Sequence, residues 1–322
     1  MSRLYKRNRD LSEPLDRIEL TVDPAEEGRF DRFLAAHIPW RSRAGVQALI
    51  EDGLATLNGA RRKPSTKVRA GDVIVVEVKR DVPASGREPQ IRVLYEDEHL
   101  MALDKEAGVV VHPVGVHQHN TLLQALHERH DGPGERPKLA HRLDQYTSGV
   151  LLVARRDEVR RAFSDLLERG GVHKEYAALL LGRVEWATRE VDAPIGAVGD
   201  SRILMQVDAA GGKTAHSEFA VIERFRFATH AAVRIGTGRT HQIRVHAAHL
   251  GHPVLGDHLY GDGLPTEGFE RFALHAREVR FAHPVSGEPV HIEAPLPVAF
   301  RHAIERMRDA APQSGGGGDR MS

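Results

Sequence analysis

The segment from His141 to Ala154, HRLDQYTSGVLLVA, constrains the fold more than any other part of the sequence. Its apolar run, Val150 to Val153, directly follows a Thr-Ser-Gly turn, a pattern that is typical of a buried β-strand. Asp144 then lies on the loop that leads into this strand, where a rigid scaffold can hold a side chain beside a cleft. The alternative is that Asp144 only caps the turn by accepting hydrogen bonds from backbone amides.

The chain contains no cysteine, which excludes disulfides, thiolate metal sites and cysteine nucleophiles and fits a reducing compartment. The basic N-terminus, MSRLYKRNRD, is not followed by the apolar segment that a signal peptide needs. No apolar run approaches the length of a membrane span. We therefore expect a soluble protein of the cytoplasm with no membrane partner.

The length of 322 residues allows two domains, each able to bury its own core. We predict a basic N-terminal arm (1–16), a small first domain (17–80) and a linker (81–90) rich in proline, glycine and serine. A larger second domain (91–310) and a disordered, glycine-rich tail (311–322) complete the chain.

The small domain is predicted from two helical patterns and a turn. Apolar residues recur at helical spacing in 30–38, and Ser42 can cap a second helix that Gly53 ends. The dipeptide Asn58-Gly59 indicates a tight turn, and residues 73–78 read as a strand.

The charge distribution is uneven although the 45 basic residues of the chain balance its 45 acidic ones. Between Gly28 and Arg80 there are eleven Lys and Arg but five Asp and Glu, and the loop Arg61, Arg62 and Lys63 is the most basic part of this region. Phosphate contacts with RNA can concentrate there. The alternative is an accessory domain with a solvated basic face.

Beyond the linker, short strand-like runs are interspersed with helices in an irregular order, which favours an α+β domain. Helices are expected over 157–169, from an N-cap at Thr240 to a point before Gly251, and over 297–308. Strands are expected at 91–95, 100–103, 109–111, 150–153, 176–181 and 232–235.

Four ordered blocks, covering about Ile91 to Pro297, make the chain similar to a known family. HRLDQYTSGVLLVA resembles the signature HRLDxxTSGLLLxA of the RluA-type pseudouridine synthases, which isomerise uridines in ribosomal and transfer RNA. The other blocks that resemble the family are YEDEHLMALDKEAGVVVHP (95–113), KEYAALLLG (174–182), and TGRTHQIRVHAAHLGHPVLGDHLYG (237–261) followed by LHAREVRFAHPVSGE (274–288). Glu106 departs from the family, which usually has proline there, and a turn without proline is less rigid.

The resemblance implies a fold and a reaction. The fold is an α+β pseudouridine synthase domain with a mixed, largely antiparallel sheet and a central cleft. The small domain at 17–80 resembles the S4-like RNA-binding domain that many members of the family carry at the N-terminus. The reaction needs no cofactor, since it breaks the N-glycosidic bond, turns the uracil and rejoins it through carbon, and the target base must first be flipped out of its stack.

By the same resemblance, Asp144 is the catalytic carboxylate. Its attack on the sugar, its attack on the base and its removal of a ribose proton all remain open, and each role needs an ionised carboxylate. Arg244 is the expected ion-pair partner, against the alternative of a surface arginine. Tyr176 is the expected stacking residue, although the pattern alone would favour a buried strand tyrosine.

The remaining candidate residues contact RNA. Arg142 resembles the arginine that fills the space left by the flipped uridine, against the alternative of a structural ion pair. Lys105, Arg239 and His241 are expected to contact the RNA backbone or shape the site.

The histidines do not predict a metal site. None has the His-Glu-x-x-His spacing of a zinc hydrolase, no thiolate is available, and capping or core roles fit better. The histidines considered are His112, His117, His119, His241, His246, His249 and His252.

The sequence thus predicts a monomeric RNA pseudouridine synthase that acts on large-subunit (23S) ribosomal RNA. A synthase acting on transfer RNA and a non-catalytic ribosome-assembly factor of the same fold are the alternatives, with a hydrolase of unknown substrate behind them.

Overall fold

A computed structural model describes residues 17–38, 43–77, 89–113, 119–130, 136–199, 204–261 and 271–309. The chain divides into two units, one formed by Met1–Gln90 with Val109–Pro133 and the other by Ile91–Gly108 with Gly134–Ser322. The predicted arm, most of the predicted linker, the predicted tail and the proposed cap Ser42 lie outside the described residues.

The part of the first unit before residue 91 contains, in its described residues, two short helices and a small antiparallel sheet. Helices α1 (Phe30–His37) and α2 (Arg43–Glu51) form where the apolar spacing predicts them, and they share one core with the sheet. The strands pair in the order β1-β5-β3, with β2-β4 as a separate pair: β1 (Arg17–Thr21), β2 (Gly28–Arg29), β3 (Ala55–Leu57), β4 (Lys67–Val68) and β5 (Val73–Glu77). A 3₁₀ turn spans Pro24–Glu26.

The tight turn at Asn58-Gly59 is confirmed. Both residues have positive φ angles, 50° and 73°, as the twist of a two-residue hairpin turn requires. Leu57 and Ala60 close the turn with reciprocal backbone hydrogen bonds of 2.9 and 3.0 Å.

The strand predicted at 109–111 is wrong. The carbonyls of Val110 and Val111 accept hydrogen bonds of 2.9 and 3.0 Å from the amides of Leu122 and Leu123, the first residues of helix α3 (Leu122–Arg129). The first amides of a helix have no partner within it, so this extended segment satisfies a helix end instead of a sheet edge.

The second unit is built on a ten-stranded sheet. All of its pairings are antiparallel except β9 with β16, which confirms the α+β fold with a mixed, largely antiparallel sheet. The order is β11-β14-β15-β10-β16-β9-β7-β6, with β17 beside β16 and β8 beside β9. The strands are β6 (Val93–Glu96), β7 (Leu100–Lys105), β8 (Lys138–Leu139), β9 (Ser148–Ala154), β10 (Val172–Leu181), β11 (Thr188–Asp192), β14 (His216–Arg224), β15 (Ala228–Ile235), β16 (Leu274–Ala282) and β17 (Pro289–Glu293), and β12 (Ile195–Ala197) pairs with β13 (Met205–Val207) as a separate ribbon.

Three helices cover this sheet: α4 (Asp157–Glu168), α5 (Gln242–His249) and α6 (Val298–Asp309). The neighbours Leu179 and Leu180 on β10 point to opposite faces, and they pack into separate clusters, one with α6 and the other with α5. Both faces are therefore buried, which explains why the central strands are apolar along their whole length.

Strand β9 is buried at all seven positions and fixes the loop that carries Asp144. At its start Gly149 has a φ of +103°, and a Cβ there would lie 2.1 Å from the carbonyl oxygen of Ala276 on β16. Only glycine allows this parallel pair of strands to approach so closely.

No helix in the described ranges combines the length and the apolar character that crossing a lipid bilayer requires.

Candidate active site

Asp144 lies on the loop between β8 and β9, where the sequence predicts it. The backbone turns sharply here, because the amide of Thr147 donates to the carbonyl oxygen of Asp144 at 3.1 Å. The Asp144 side chain is 28% exposed, so its carboxylate can meet a substrate. Within the described residues, the contacts of the Asp144 carboxylate are with Arg244 and His241 and not with the backbone amides of the turn, in contrast to the capping role considered as the alternative.

A neighbouring turn, residues 105–108, clamps the backbone next to Asp144. Gly108 and Gln145 exchange two hydrogen bonds, from the Gly108 amide to the Gln145 carbonyl at 2.9 Å and from the Gln145 side chain back to the Gly108 carbonyl at 3.1 Å. Lys105 Nζ donates to the carbonyls of Glu106 and Gln145, both at 2.8 Å. The turn is thus held by hydrogen bonds where the family usually has proline, and the Glu106 carboxylate forms a 2.6 Å ion pair with Arg92.

Lys105 is the most deeply buried cation beside Asp144, at 1% exposure. Burial lowers the pKa of Lys105 to about 7, opposed by the negative charges of Asp144 and Glu106. The carbonyl groups of Glu106 and Gln145 hold the Lys105 ammonium in place inside the protein. Lys105 therefore stabilises the backbone next to Asp144.

Arg244 forms the expected ion pair with Asp144, and a second carboxylate holds it in place. Its Nη1 lies 3.3 Å from Asp144 Oδ2, while Nε and Nη2 donate to the two oxygens of Asp257 at 2.7 and 2.8 Å. Arg244 and Asp257 are 5% and 2% exposed. Burial would lower the pKa of Arg244, but its hydrogen bonds to Asp257 and the charges of Asp257 and Asp144 outweigh burial and raise it. The fork geometry fixes the guanidinium, and its free edge faces Asp144.

Aromatic rings sandwich the Arg244 guanidinium. Its carbon atom lies 4.1 Å from the ring centre of Phe272 and 5.0 Å from that of Tyr260. Both distances suit cation–π attraction, which limits the positions the guanidinium can take. Tyr146 packs edge-on against Phe272 at 6.1 Å and extends this aromatic wall towards the Asp144 loop.

The N-cap of helix α5 is His241, so the prediction of an N-cap at Thr240 is wrong. His241 has a left-handed backbone, with φ 56° and ψ 20°, a strained conformation for a residue other than glycine. Thr240 is exposed, and the side chain of Gln242 instead accepts hydrogen bonds from the Arg239 amide and the Thr237 hydroxyl. The sequence analysis assigned the N-cap to threonine, a common capping residue. It missed the left-handed His241 and the hydrogen bonds that the Gln242 side chain accepts.

The strained backbone aims His241 at Asp144. Its Nε2 lies 3.9 Å from Asp144 Oδ2, and its Nδ1 lies 2.9 Å from the hydroxyl of Tyr260. That hydroxyl also accepts a hydrogen bond from the Met205 amide at 3.1 Å, so Tyr260 fixes the orientation of the His241 ring. Burial lowers the pKa of His241, and the charge of Asp144 opposes this.

Tyr176 lies on β10 at a shift in register with β16, opposite Ala276. It is 7% exposed. Burial raises the pKa of the Tyr176 hydroxyl above its usual range, and the nearby charge of Asp144 adds to the rise. Tyr176 is therefore a neutral phenol beside the carboxylate.

The other predicted RNA-binding residues lie at the surface. Arg142 is exposed and has no ion-pair partner among the described residues, so the structural ion pair considered as its alternative is absent there. Arg239 is exposed and donates to the Thr214 carbonyl at 2.9 Å.

Arg61, Arg62 and Lys63 belong to the first unit and are described separately from the Asp144 site. They line a cleft of about 540 Å³ together with Arg29, and Glu51 is its acidic lining residue. The charge of this cleft suits a polyanion.

The structure brings Asp144, Arg244, Tyr176, His241 and Lys105 together. Sequence reasoning missed Asp257 and Tyr260, although both stand in the block GDHLYG (256–261), which lies within the matching motif 237–261.

Two of the histidines considered for metal binding form hydrogen bonds within the protein. His246 contacts the Ser217 hydroxyl and the Ala193 carbonyl, each at 2.9 Å, and His252 contacts the Leu181 carbonyl; His117 lies outside the described residues. In the described part of the chain, Glu278, His291 and Glu293 have ligand-type atoms within 4.8 Å of one another. This cluster lies on strands β16 and β17, and Arg280 forms an ion pair with Glu278 at 3.0 Å.

Comparison with known proteins gives matches over most of the chain. Residues 99–249 match the RNA pseudouridylate synthase family, and residues 28–74 match the S4 domain. The "Ribosomal large subunit pseudouridine synthase D" of Xanthomonas campestris pv. campestris is 38% identical over 317 residues, which cover 92% of this chain and 95% of that protein. The protein of the same name from Pseudomonas aeruginosa is 36% identical over 296 residues, covering 87% and 92%.

A solved structure is also similar. "Human RNA Pseudouridylate Synthase Domain Containing 1" superposes with a TM-score of 0.55 at 25% identity, covering 69% of this chain and 96% of that one.

Proposed function

This chain belongs to the RNA pseudouridine synthase family, and we propose that it isomerises specific uridines of large-subunit (23S) ribosomal RNA. The relatives from Xanthomonas campestris and Pseudomonas aeruginosa carry names that specify the ribosomal large subunit, and the chain matches nearly their whole length. The matching S4 domain supports RNA as the substrate.

The observation that carries the mechanism is the partly exposed carboxylate of Asp144 beside the braced guanidinium of Arg244, 3.3 Å away. Attack on the sugar, attack on the base and removal of a ribose proton all require an ionised carboxylate, and a fixed positive charge favours that form. Because Asp257 and the aromatic wall hold Arg244 in place, its charge is available without reorganisation during the reaction. We assign Asp144 as the catalytic carboxylate and Arg244 as its partner.

Tyr176 and Arg142 would handle the flipped nucleotide. The neutral ring of Tyr176 supplies a face on which the uracil stacks beside Asp144, and its hydroxyl can assist proton transfer. Arg142 is exposed two residues before Asp144, so its planar cation can enter the space that the uridine leaves. Flipping costs a few kcal/mol, which contacts of this kind offset.

RNA affinity would come from the basic residues of both units. Arg61, Arg62 and Lys63 around the cleft of the S4 domain are suited to phosphates, and Arg239 and His241 belong to the unit that carries Asp144. Such contacts position the RNA, whereas the choice of uridine depends on the shape and the sequence of the RNA around it. A cytoplasmic location fits a chain without cysteine that modifies ribosomal RNA.

Pseudouridine mapping tests this function. Unmodified 23S, 16S and transfer RNA are incubated separately with the wild-type protein, with Asp144→Asn and with Asp165→Asn, a control at an exposed position of α4. We expect new pseudouridine at discrete positions of 23S RNA with the wild type and the control, and none with Asp144→Asn at unchanged RNA affinity. Product in transfer RNA alone would replace the proposed substrate, and product formed by Asp144→Asn would refute the assignment of the catalytic carboxylate.

A further inference from the structure

A buried lysine close to Asp144 has no anionic partner. Lys174 is 8% exposed, and among the described residues no carboxylate lies within ion-pair distance of it. Its one described hydrogen bond is a long one, 3.4 Å from Nζ to the carbonyl oxygen of Thr237. Burying a charged group without a partner is unfavourable, so such a residue indicates a site that is completed by something else.

A second positive charge, that of Arg239, acts on Lys174. Burial, and after it the charge of Arg239, lower the pKa of Lys174 to about 8. His141 also lies near Lys174, but burial and the charge of Lys174 lower the pKa of His141 to about 4, so this imidazole is neutral at pH 7. The Arg239 guanidinium repels the Lys174 ammonium, and an anion placed between the two would relieve that repulsion.

The loop 236–241 lies close to the Lys174 ammonium. A Cβ at Gly238 would lie 3.5 Å from Nζ, so any side chain at this position would cover the group. Arg239 follows directly, is exposed, and uses its Nε on the Thr214 carbonyl, so the terminal nitrogens of its guanidinium remain for a ligand. The charges of Lys174 and Arg239 are close enough to act on each other, and an ammonium together with a guanidinium fits a phosphate group.

The same loop and strand carry the catalytic site. Lys174 and Tyr176 are two residues apart on β10 and therefore share one face of the sheet. The loop 236–241 ends at His241, whose Nε2 is 3.9 Å from Asp144. An anion held by Lys174 and Arg239 would thus be adjacent to the nucleotide that Asp144 and Tyr176 receive.

We propose that Lys174 and Arg239 bind one phosphate of the RNA backbone next to the target uridine. This inference rests on the proposed function, since it takes RNA as the substrate. The phosphate partly replaces the water that Lys174 loses on burial, and it fixes the position of the strand at the catalytic loop. Lys174 is a binding residue here and takes no part in the bond-breaking steps.

The variants Lys174→Met and Arg239→Gln test the proposal, because a phosphate site and a structural lysine predict opposite results. Lys174→Met removes an unpaired buried charge, so the RNA-free protein should unfold at the same or a higher urea concentration than the wild type. Its affinity for a 23S RNA fragment should fall by roughly tenfold or more. The slope of log K against log salt should become shallower by about 0.7 to 0.9, the change expected for one phosphate contact. Arg239→Gln should change the slope by a similar amount.

Lys138→Met is the matched control, since Lys138 is 45% exposed and lies 3.4 Å from the Asp157 carboxylate. It should gain no stability and leave the salt slope unchanged. An equal change of slope in Lys138→Met and Lys174→Met would assign the effect to net charge and overturn the proposal. An unchanged slope in Lys174→Met or in Arg239→Gln would also overturn it.

The failure of this proposal and the failure of the proposed function are distinguishable in the same samples. If the wild type forms pseudouridine but the salt slopes do not respond, only the phosphate site is refuted. If the slopes respond but the wild type forms no pseudouridine in 23S RNA, the phosphate site survives and the proposed substrate is refuted.

Discussion

Replacing Asp257 with asparagine should destabilise the protein by about 3 kcal/mol, because it leaves the buried charge of Arg244 without its main partner. Removing one member of a buried ion pair costs about 3–5 kcal/mol. The lower end applies here, since Asp144 at 3.3 Å and the ring of Phe272 at 4.1 Å still compensate part of the Arg244 charge. At about 2–4 °C per kcal/mol for a unit of this size, the melting temperature should fall by about 6–12 °C. The loss of the fork also lets Arg244 move, so kcat should fall by about tenfold to a hundredfold.

Calorimetry and single-turnover assays measure these two effects. Asp165→Asn makes the same chemical change at an exposed position and should stay within about 0.5 kcal/mol of the wild type. The double variant Asp257→Asn with Arg244→Met should recover part of the lost stability without recovering activity, because the unpaired charge is gone. If Asp257→Asn is as stable as Asp165→Asn, the argument that Asp257 holds Arg244 electrostatically is wrong.

Two further predictions concern the neighbours of Asp144. Tyr176→Phe should keep far more activity than Tyr176→Ala, because the ring supplies the stacking face and burial keeps its hydroxyl protonated; equal losses in pseudouridine formation would point to proton transfer by the hydroxyl. Burial lowers the pKa of Lys105 from its usual 10.5 to about 7, so between these values the unfolded chain binds a proton that the folded protein has released. Because the unfolded chain binds more protons, the free energy of unfolding rises with pH between about 7 and 10.5, and Lys105→Met should remove this rise. Urea unfolding of wild type and Lys105→Met at pH 6, 8 and 9.5 measures it, and a difference that does not change with pH would contradict the reasoning.

The elements with a strong local pattern were predictable from the sequence. Helix α1 follows from its apolar spacing, the turn at Asn58-Gly59 from residues that tolerate positive φ, and β9 from its apolar run. The position of Asp144 before β9 follows from the same run. These features depend on residues that are close together in the sequence, so they can be predicted from the sequence of one chain.

The features that depend on distant residues were not predictable from pattern. Asp144 and Arg244 are 100 residues apart, and only the resemblance to a family paired them. Asp257, the main partner of Arg244, was missed because nothing local shows which buried cation it faces. The apolar run at 109–111 forms no strand, because the carbonyls of Val110 and Val111 accept hydrogen bonds from the first amides of helix α3 and not from a neighbouring strand.

The close contact at Gly149 affects how a survey of substitutions across the chain would be interpreted. A Cβ there would meet backbone and not a flexible side chain, so even alanine would push β9 away from β16. The displaced strand would carry the Asp144 loop with it, and an activity screen would score position 149 as strictly as the catalytic carboxylate. Intolerance to substitution at this site therefore measures the room between two strands, and a genetic map of essential positions would mark a glycine that takes no part in the chemistry.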